Sequence, residues 1–199
     1  MPRPFTPDEQ VRIRRRLLEA GRDALATTGF RKTTVTQLAR AAGISKGGFY
    51  LFFPDKTALW MVLLREAEAD LRGVLQDLSE PADVDAEPKL RALLRAIFDA
   101  VTVHPMLRAL ADPDDLAWLM RSLPPELLID ARKDDDRFFG ALFDSLVATC
   151  GVRSDLGEVF RSLAGAALAL AHGRCLVGED RFDALVDFQI EAWLGLLLR

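Results

Sequence analysis

Between Thr34 and Lys56 the chain reads TVTQLARAAGISKGGFYLFFPDK, and no other stretch limits the fold as tightly. Thr34 followed three residues later by Gln37 is a capping-box pattern, and it opens a helix expected over Val35 to Ala41. Gly43 supplies a residue able to take the positive φ of a tight turn. Ser45 can cap a further helix, expected from Lys46 to Phe52. Pro54 stops that helix, because the residue before a proline disfavours helical backbone. Asp55 then opens a long helix running to about Leu78. Two short helices held at a fixed angle by a glycine turn form a helix–turn–helix.

The flanking sequence is helical as well, which makes the expected fold class all-α. Ile13, Leu17, Ala20, Ala24 and Leu25 recur at three- and four-residue spacing, giving a first helix over about Pro7 to Thr28 with Gly29 at its C′ position. Ser79 to Pro88, SEPADVDAEP, reads as a linker. Further helices are expected at Lys89–Val103, in short pieces near Met106–Ala111 and Asp114–Ser122, and at about Glu126–Thr149. A helix from Ser154 to Leu176 and a last one from Phe182 to Leu198, across a turn at Gly178 to Asp180, complete the pattern. No segment alternates with the period of a strand. Two units are expected: an N-terminal three-helix domain over 1–56, and a C-terminal helical domain over 57–199.

Charge separates the same two units. Residues 1–56 hold eleven Lys/Arg against five Asp/Glu, a net of +6, while residues 57–199 hold fifteen against twenty-five, a net of −10. A basic head on an acidic body suits a nucleic-acid partner at one end only. The longest apolar run, Leu163 to Ala171, is far below the ~20 residues of a membrane span. The N-terminal MPRPFTPDEQ lacks the apolar segment of a secretion signal, so a soluble cytoplasmic protein with no membrane partner is expected. Cys150 and Cys175 make no disulfide framework and, with His104 and His172, no zinc spacing; the two cysteines read as buried structural thiols. The acidic clusters Asp112, Asp114, Asp115 and Asp134, Asp135, Asp136 lack the glycine-turned spacing of a cation loop and read as solvated caps. No metal and no cofactor is expected.

Inside the motif, Val35, Leu38, Ala39, Ala42, Ile44, Phe49 and Phe53 are the apolar positions. Phe49 and Phe53 are i, i+4 neighbours that turn inward together. Lys46, Gly47, Tyr50 and Leu51 are left on the outer face, and the small Ala39 allows a close helix crossing. A second helix presenting lysine and tyrosine in basic surroundings suits the major groove of double-stranded DNA. Lys46 is the candidate for a base edge, most simply guanine O6/N7. Arg12, Arg14, Arg15 and Arg16 add positive potential, and Arg3 sits on a proline-flanked arm within reach of a phosphate.

The run TGF, TTV, LARAAGISKGGFY, FF and PDK, at these intervals from about Ile13 to Leu64, resembles the N-terminal domain of the TetR family of bacterial transcriptional regulators. The resemblance covers about a quarter of the chain. It implies a homodimer, a palindromic operator, a C-terminal domain responsive to a small-molecule effector, and repression. It also implies roles for matching residues. Thr34 would cap its helix against a phosphate, Tyr50 would hydrogen-bond the DNA backbone, and Lys56 would pair with a phosphate. The chain departs from the family pattern at Gly48, often threonine, at Leu51, often histidine or a polar aromatic, and at Phe52, often tyrosine. Two readings of Gly47 and Gly48 stand side by side: they let the backbone lie close to DNA while Leu51 touches thymine methyls, or they relieve crowding at the helix start.

The last two helices carry wide apolar stripes. Leu163, Ala167 and Leu170 on one, and Phe182, Val186, Ile190, Trp193 and Leu197 on the other, are the expected dimer interface, a four-helix arrangement of two copies. Phe98, His104, Trp118, Phe139 and Phe143 in the middle helices are the candidates for an aromatic-lined cavity taking a lipophilic or aromatic ligand. The alternatives are a helical protein–protein adaptor and a small all-helical enzyme. For the enzyme no nucleophile–base pair or phosphate-cradling loop is present, and SKGG lacks P-loop spacing.

Overall fold

Thr6 starts α1 (Pro7–Thr27) with a reciprocal cap: its hydroxyl accepts from Glu9 N–H at 3.3 Å while its own N–H donates to the Glu9 carboxylate at 2.8 Å. The computed structural model describes residues 5–80 and 85–198, apart from the side chains of Cys175, Glu179 and Asp180. Arg3 and the Cys175 thiol therefore lie outside the described residues. Gly29 follows α1 with φ +81°, as a C′ glycine does, and begins a one-turn helix absent from the sequence reading, α2 (Gly29–Lys32). Next come α3 (Val35–Ala41) and α4 (Lys46–Phe49), then α5 (Lys56–Ser79), capped by Asp55 accepting from Ala58 N–H at 2.8 Å.

The body follows as α6 (Ala86–Val103), α7 (Pro105–Ala109), α8 (Pro113–Ser122) and α9 (Pro125–Cys150). A 3₁₀ turn at Ser154–Leu156 leads to α10 (Gly157–Arg161), α11 (Leu163–His172), α12 (Arg174–Val177) and α13 (Glu179–Leu197). No strand occurs among the described residues. Two expectations are corrected. The linker is shorter than Ser79–Pro88: α6 already starts at Ala86, with Pro88 in its first turn, where a missing N–H removes no helical bond. The helix expected over Ser154–Leu176 is broken at Ser162 and Gly173. Both are weak helix formers, and the Ser162 hydroxyl bonds back to Glu158 O at 3.0 Å.

Two apolar cores share α5. The first joins Leu17, Phe30, Leu38, Phe49, Leu59 and Trp60 to Met106, Leu107, Leu119 and Leu123 of α7 and α8, so apolar contact runs across residue 56. Gly21 sits where α1 crosses α5. A Cβ there would lie 2.8 Å from side-chain carbons of Leu59 and Leu63, so the crossing distance needs glycine. The second core lies around α6, with Leu75, Phe98, Leu146, Phe160, Ala167, Phe182 and Ile190.

That second core changes the reading of the last two helices. Leu163, Ala167, Phe182, Val186, Ile190 and Leu197 are all buried within the protomer, Leu170 is half-buried, and half-buried Trp193 stacks on Phe98 at 5.4 Å. The stripe expected to meet a partner instead faces α6, because α6 is itself apolar along Leu90, Leu94, Ile97 and Val101 and needs that cover. The opposite side of the same helices stays open: Gly165, Ala166 and Ala169 on α11, and Ala184, Phe188, Ala192 and Leu196 on α13, with Phe188 69% exposed.

Candidate nucleic-acid interface

The head is built from caps inward. Thr34 Oγ1 accepts from Gln37 N–H at 3.2 Å and Gln37 Oε1 accepts from Thr34 N–H at 2.7 Å, the reciprocal pair expected from sequence. The Thr34 hydroxyl also donates to Gln37 Oε1, at 2.8 Å. Gly43 takes φ +74°, and the turn closes with Ile44 N–H on Ala39 O at 2.9 Å. Ala39 and Ala42 are buried at the crossing, and Ser45 Oγ accepts from Gly48 N–H at 3.0 Å. Helix α4 is one turn long. It continues to Phe53 as successive turns, with Leu51 N–H on Gly48 O and Phe52 N–H on Phe49 O, where a helix to Phe52 was expected. Two adjacent glycines, each about 1 kcal/mol poorer than alanine in a helix, account for the shortening.

Phe49 and Phe53 turn inward as expected, their rings 5.8 Å apart, and the Arg14 guanidinium lies 4.7 Å from the Phe53 ring. Outward stand Ser45, Lys46, Gly47, Tyr50 and Leu51, with Tyr50 49% and Leu51 73% exposed, while Gly48 is half-covered. Tyr50 and Leu51 thus stand side by side on a solvent-facing turn. From Ala24 to Pro54 the chain contains no Asp or Glu, but does contain Arg31, Lys32, Arg40 and Lys46. Arg12 and Arg16 flank a shallow groove with Ala42, Gly43 and Ile44 at the turn.

Gly47 and Gly48 are not demanded by packing. A Cβ on Gly48 would come no nearer than 3.4 Å to the Ser45 hydroxyl, and one on Gly47 no nearer than 3.9 Å. Nothing inside the protein is crowded there, so relief of crowding does not account for the two glycines.

Lys56 is placed differently from what the resemblance implies. Its ammonium donates to the carbonyls of Phe30 at 3.1 Å, Arg31 at 2.8 Å and Thr33 at 2.9 Å, and stands 4.5 Å from the Trp118 ring centre. All three of its donors close the C-terminal end of α2, leaving none for a phosphate. Burial pushes its pKa down, with Asp115 opposing.

Residues 17–60 match the family model described as bacterial regulatory proteins, tetR family. This head is thus similar to the DNA-binding domain of the TetR family. It is 34% identical over 91 residues to the HTH-type transcriptional regulator BetI of Klebsiella pneumoniae, a match covering 45% of this chain and 47% of that protein, and equally so to BetI of Escherichia coli. The chain thus spans about half the length of the curated relatives it matches. In overall fold it is similar to a TetR-family regulator of Pectobacterium atrosepticum (24% identity, TM-score 0.71, 98% and 99% of the two chains). It is also similar in fold to the fatty acid degradation regulator FadR of Bacillus halodurans (18%, 0.69, 97% of each). The ketosteroid transcriptional regulator KstR2 of Mycobacterium tuberculosis is a third such structure (22%, 0.63, 94% and 95%).

Behind this TetR-type head, the five expected ligand residues do not share a cavity. Phe98, Phe139 and Phe143 fill the second core against Trp193 and Phe160, at ring distances of 5.3–6.5 Å. His104 caps α7, its Nδ1 accepting from Met106 N–H at 3.3 Å, and Trp118 faces Lys56. These rings pack on one another. A cleft of about 810 Å³ lies instead between α5, α8 and α9, walled mainly by aliphatic side chains and carrying Glu68 and Arg72. The acidic clusters are used locally. Asp112 caps α8, Asp114 pairs with Arg31, Asp135 with Arg72 and Asp134 with Arg137. Among the described residues no helix is long and apolar enough to cross a membrane.

Proposed function

We propose that this TetR-family regulator is a dimeric repressor that holds a palindromic operator and leaves it when a small lipophilic ligand enters the body. The observation that carries the reading is the outward face of α4 and the turn after it. Lys46, Tyr50 and Leu51 stand exposed on a doubly capped, acid-free segment, beside two glycines that packing does not require. In this reading Lys46 reaches a base edge, Tyr50 and the Thr34 and Ser45 helix starts meet phosphates, and the backbone at Gly47–Gly48 lies against the groove. A single short recognition segment binds weakly, so two copies acting on an inverted repeat are required. The exposed strip of α13, from Ala184 to Leu196, with Ala166 and Ala169 of α11, supplies the self-complementary face.

The ligand acts only if it binds the released state more tightly than the operator-bound one. Helix α5 is the lever, since it begins beside the head and forms one wall of the cleft. The test is selection of genomic fragments by the purified protein, followed by titration of the selected duplex at rising salt. Tight, salt-sensitive binding to an inverted repeat, weakened by Lys46→Ala and Tyr50→Phe, is expected. Equal affinity for selected and random duplexes at low salt would reject the reading and leave an adaptor role.

A further inference from the structure

The cleft between α5, α8 and α9 has one feature that aliphatic walls alone do not explain. Met61, Leu64, Leu116, Leu119, Leu123 and Leu128 line it, and the half-buried carboxylate of Glu68 is set among them. Glu68 accepts no hydrogen bond and forms no ion pair with any described residue. The neighbouring Arg72 is already committed: it pairs with Asp135 at 2.6 Å and lies 5.3 Å from the Phe138 ring. Arg65 and Arg132, which also border the cleft, are exposed and extend to water. Asp130 pairs with Lys133 and Asp134 with Arg137 at the rim. The charge that has lost water without gaining a partner is therefore negative, and it stands in an apolar wall.

We propose that this cleft takes a lipophilic cation, an amine or quaternary ammonium on an alkyl or aryl body, with Glu68 as its counter-charge. The inference rests on reading the cleft as the effector site and adds the chemical class of the effector. A hydrocarbon body replaces water on the six apolar walls, and the cation restores to Glu68 the stabilisation that folding removed. Burial raises the Glu68 pKa first of all, and Asp135 and Asp134 raise it further against Arg72 and Arg65, so the surroundings select for positive charge.

Calorimetric titration of the full chain with three probes of equal length, decyltrimethylammonium, decanol and decanoate, tests this. The cation is expected to bind one site per chain at least about tenfold more tightly than decanol, with decanoate weakest. In Glu68→Gln the cation should fall to the level of decanol while decanol itself is unchanged, which also shows that the cleft is intact. Equal affinities in the wild type, tightest binding of decanoate, or a cation preference that survives Glu68→Gln would overturn the proposal. Operator affinity is measured separately with each probe. A cation that binds through Glu68 but leaves DNA binding untouched upholds the charge assignment and removes the effector role.

Discussion

The carboxylate of Asp115 accepts the backbone N–H of Phe30 at 3.0 Å and that of Arg31 at 3.4 Å, across 85 residues of chain. It anchors α8 to the start of α2, while Lys56 closes the other end of α2 and covers Trp118 of the same α8. Leu116 and Leu119 of α8 line the cleft between α5, α8 and α9. One ten-residue helix therefore touches both the cleft and the helix–turn–helix unit.

Replacement of Asp115 by alanine leaves two helix-start N–H groups without their charged acceptor. Hydrogen bonds to charged groups are worth about 1.5–3 kcal/mol when buried, and partial exposure here reduces the expected loss to about 2 kcal/mol. Urea unfolding should show the loss. Amide exchange at Phe30 and Arg31 should quicken while amides of the second core keep their protection. Unchanged exchange at those two positions would mean that Asp115 is not what joins the two parts.

Lys56→Met keeps the aliphatic stem against Trp118 and removes the ammonium from three carbonyls. Stability is expected to fall by about 2 kcal/mol, and the slope of operator affinity against salt to stay as in the wild type, because no phosphate contact is lost. A slope reduced by about one unit would instead place Lys56 on DNA.

Gly48→Ala separates protein packing from DNA approach. The added methyl meets the Ser45 hydroxyl at ordinary contact distance, and alanine is the better helix former, so the free protein should gain up to about 1 kcal/mol. Operator affinity should fall if the backbone lies against the groove. Greater stability together with undiminished affinity and sequence preference would remove the close-approach reading.

The head was legible because its signals are local. Thr34 and Gln37 lie three residues apart, Ser45 caps Gly48, Gly43 needs a positive φ, and Phe49 and Phe53 share a face, so each could be read within a window of a few residues. The body was not legible in the same way. Whether Phe182 or Phe188 faces the core depends on which side of α13 meets α6, and both belong to apolar stripes. Asp115 gave no sign that its partner was a backbone N–H 85 residues earlier, and Lys56 gave none that three carbonyls would take its ammonium. The cleft leaves no aromatic mark in the sequence, because the rings pack on one another and leave its apolar walls to aliphatic side chains.

Glu68 makes stability depend on pH. Burial, with help from Asp135 and Asp134, holds its carboxyl above the usual glutamate range. The native state then keeps a proton that the unfolded chain has already released, so stability falls as pH rises from the ordinary glutamate value through the native one. Below that window the penalty is absent, and above it the penalty is complete. Glu68→Gln, which mimics the protonated form, should match the wild type near pH 4 and exceed it near about pH 7.5, read as urea midpoints. A gain confined to acid would contradict the assignment.

In the proposed dimer, Phe188 marks the face that meets the second copy. It lies on α13 at four-residue spacing with Ala184, Ala192 and Leu196, all exposed, while Asp187 and Glu191 on the adjoining side are tied to Arg95 and Arg91 of α6. With Phe182, Val186 and Ile190 buried on the inner side of α13, Phe188 points away from the protomer. In a two-fold interface each change acts twice, so Phe188→Glu removes two rings from apolar burial, together about 3–6 kcal/mol. The dissociation constant of the dimer should rise at least a hundredfold by sedimentation. Protomer stability should stay near that of the wild type, because the ring makes little contact at home. Trp193→Ala is the opposite case: its ring stacks on Phe98, so the protomer should lose stability while the interface keeps its shape. If Phe188→Glu leaves the association state unchanged and Trp193→Ala alone disperses it, then the inward stripe read from sequence is the true interface, and α13 must turn over when two copies meet.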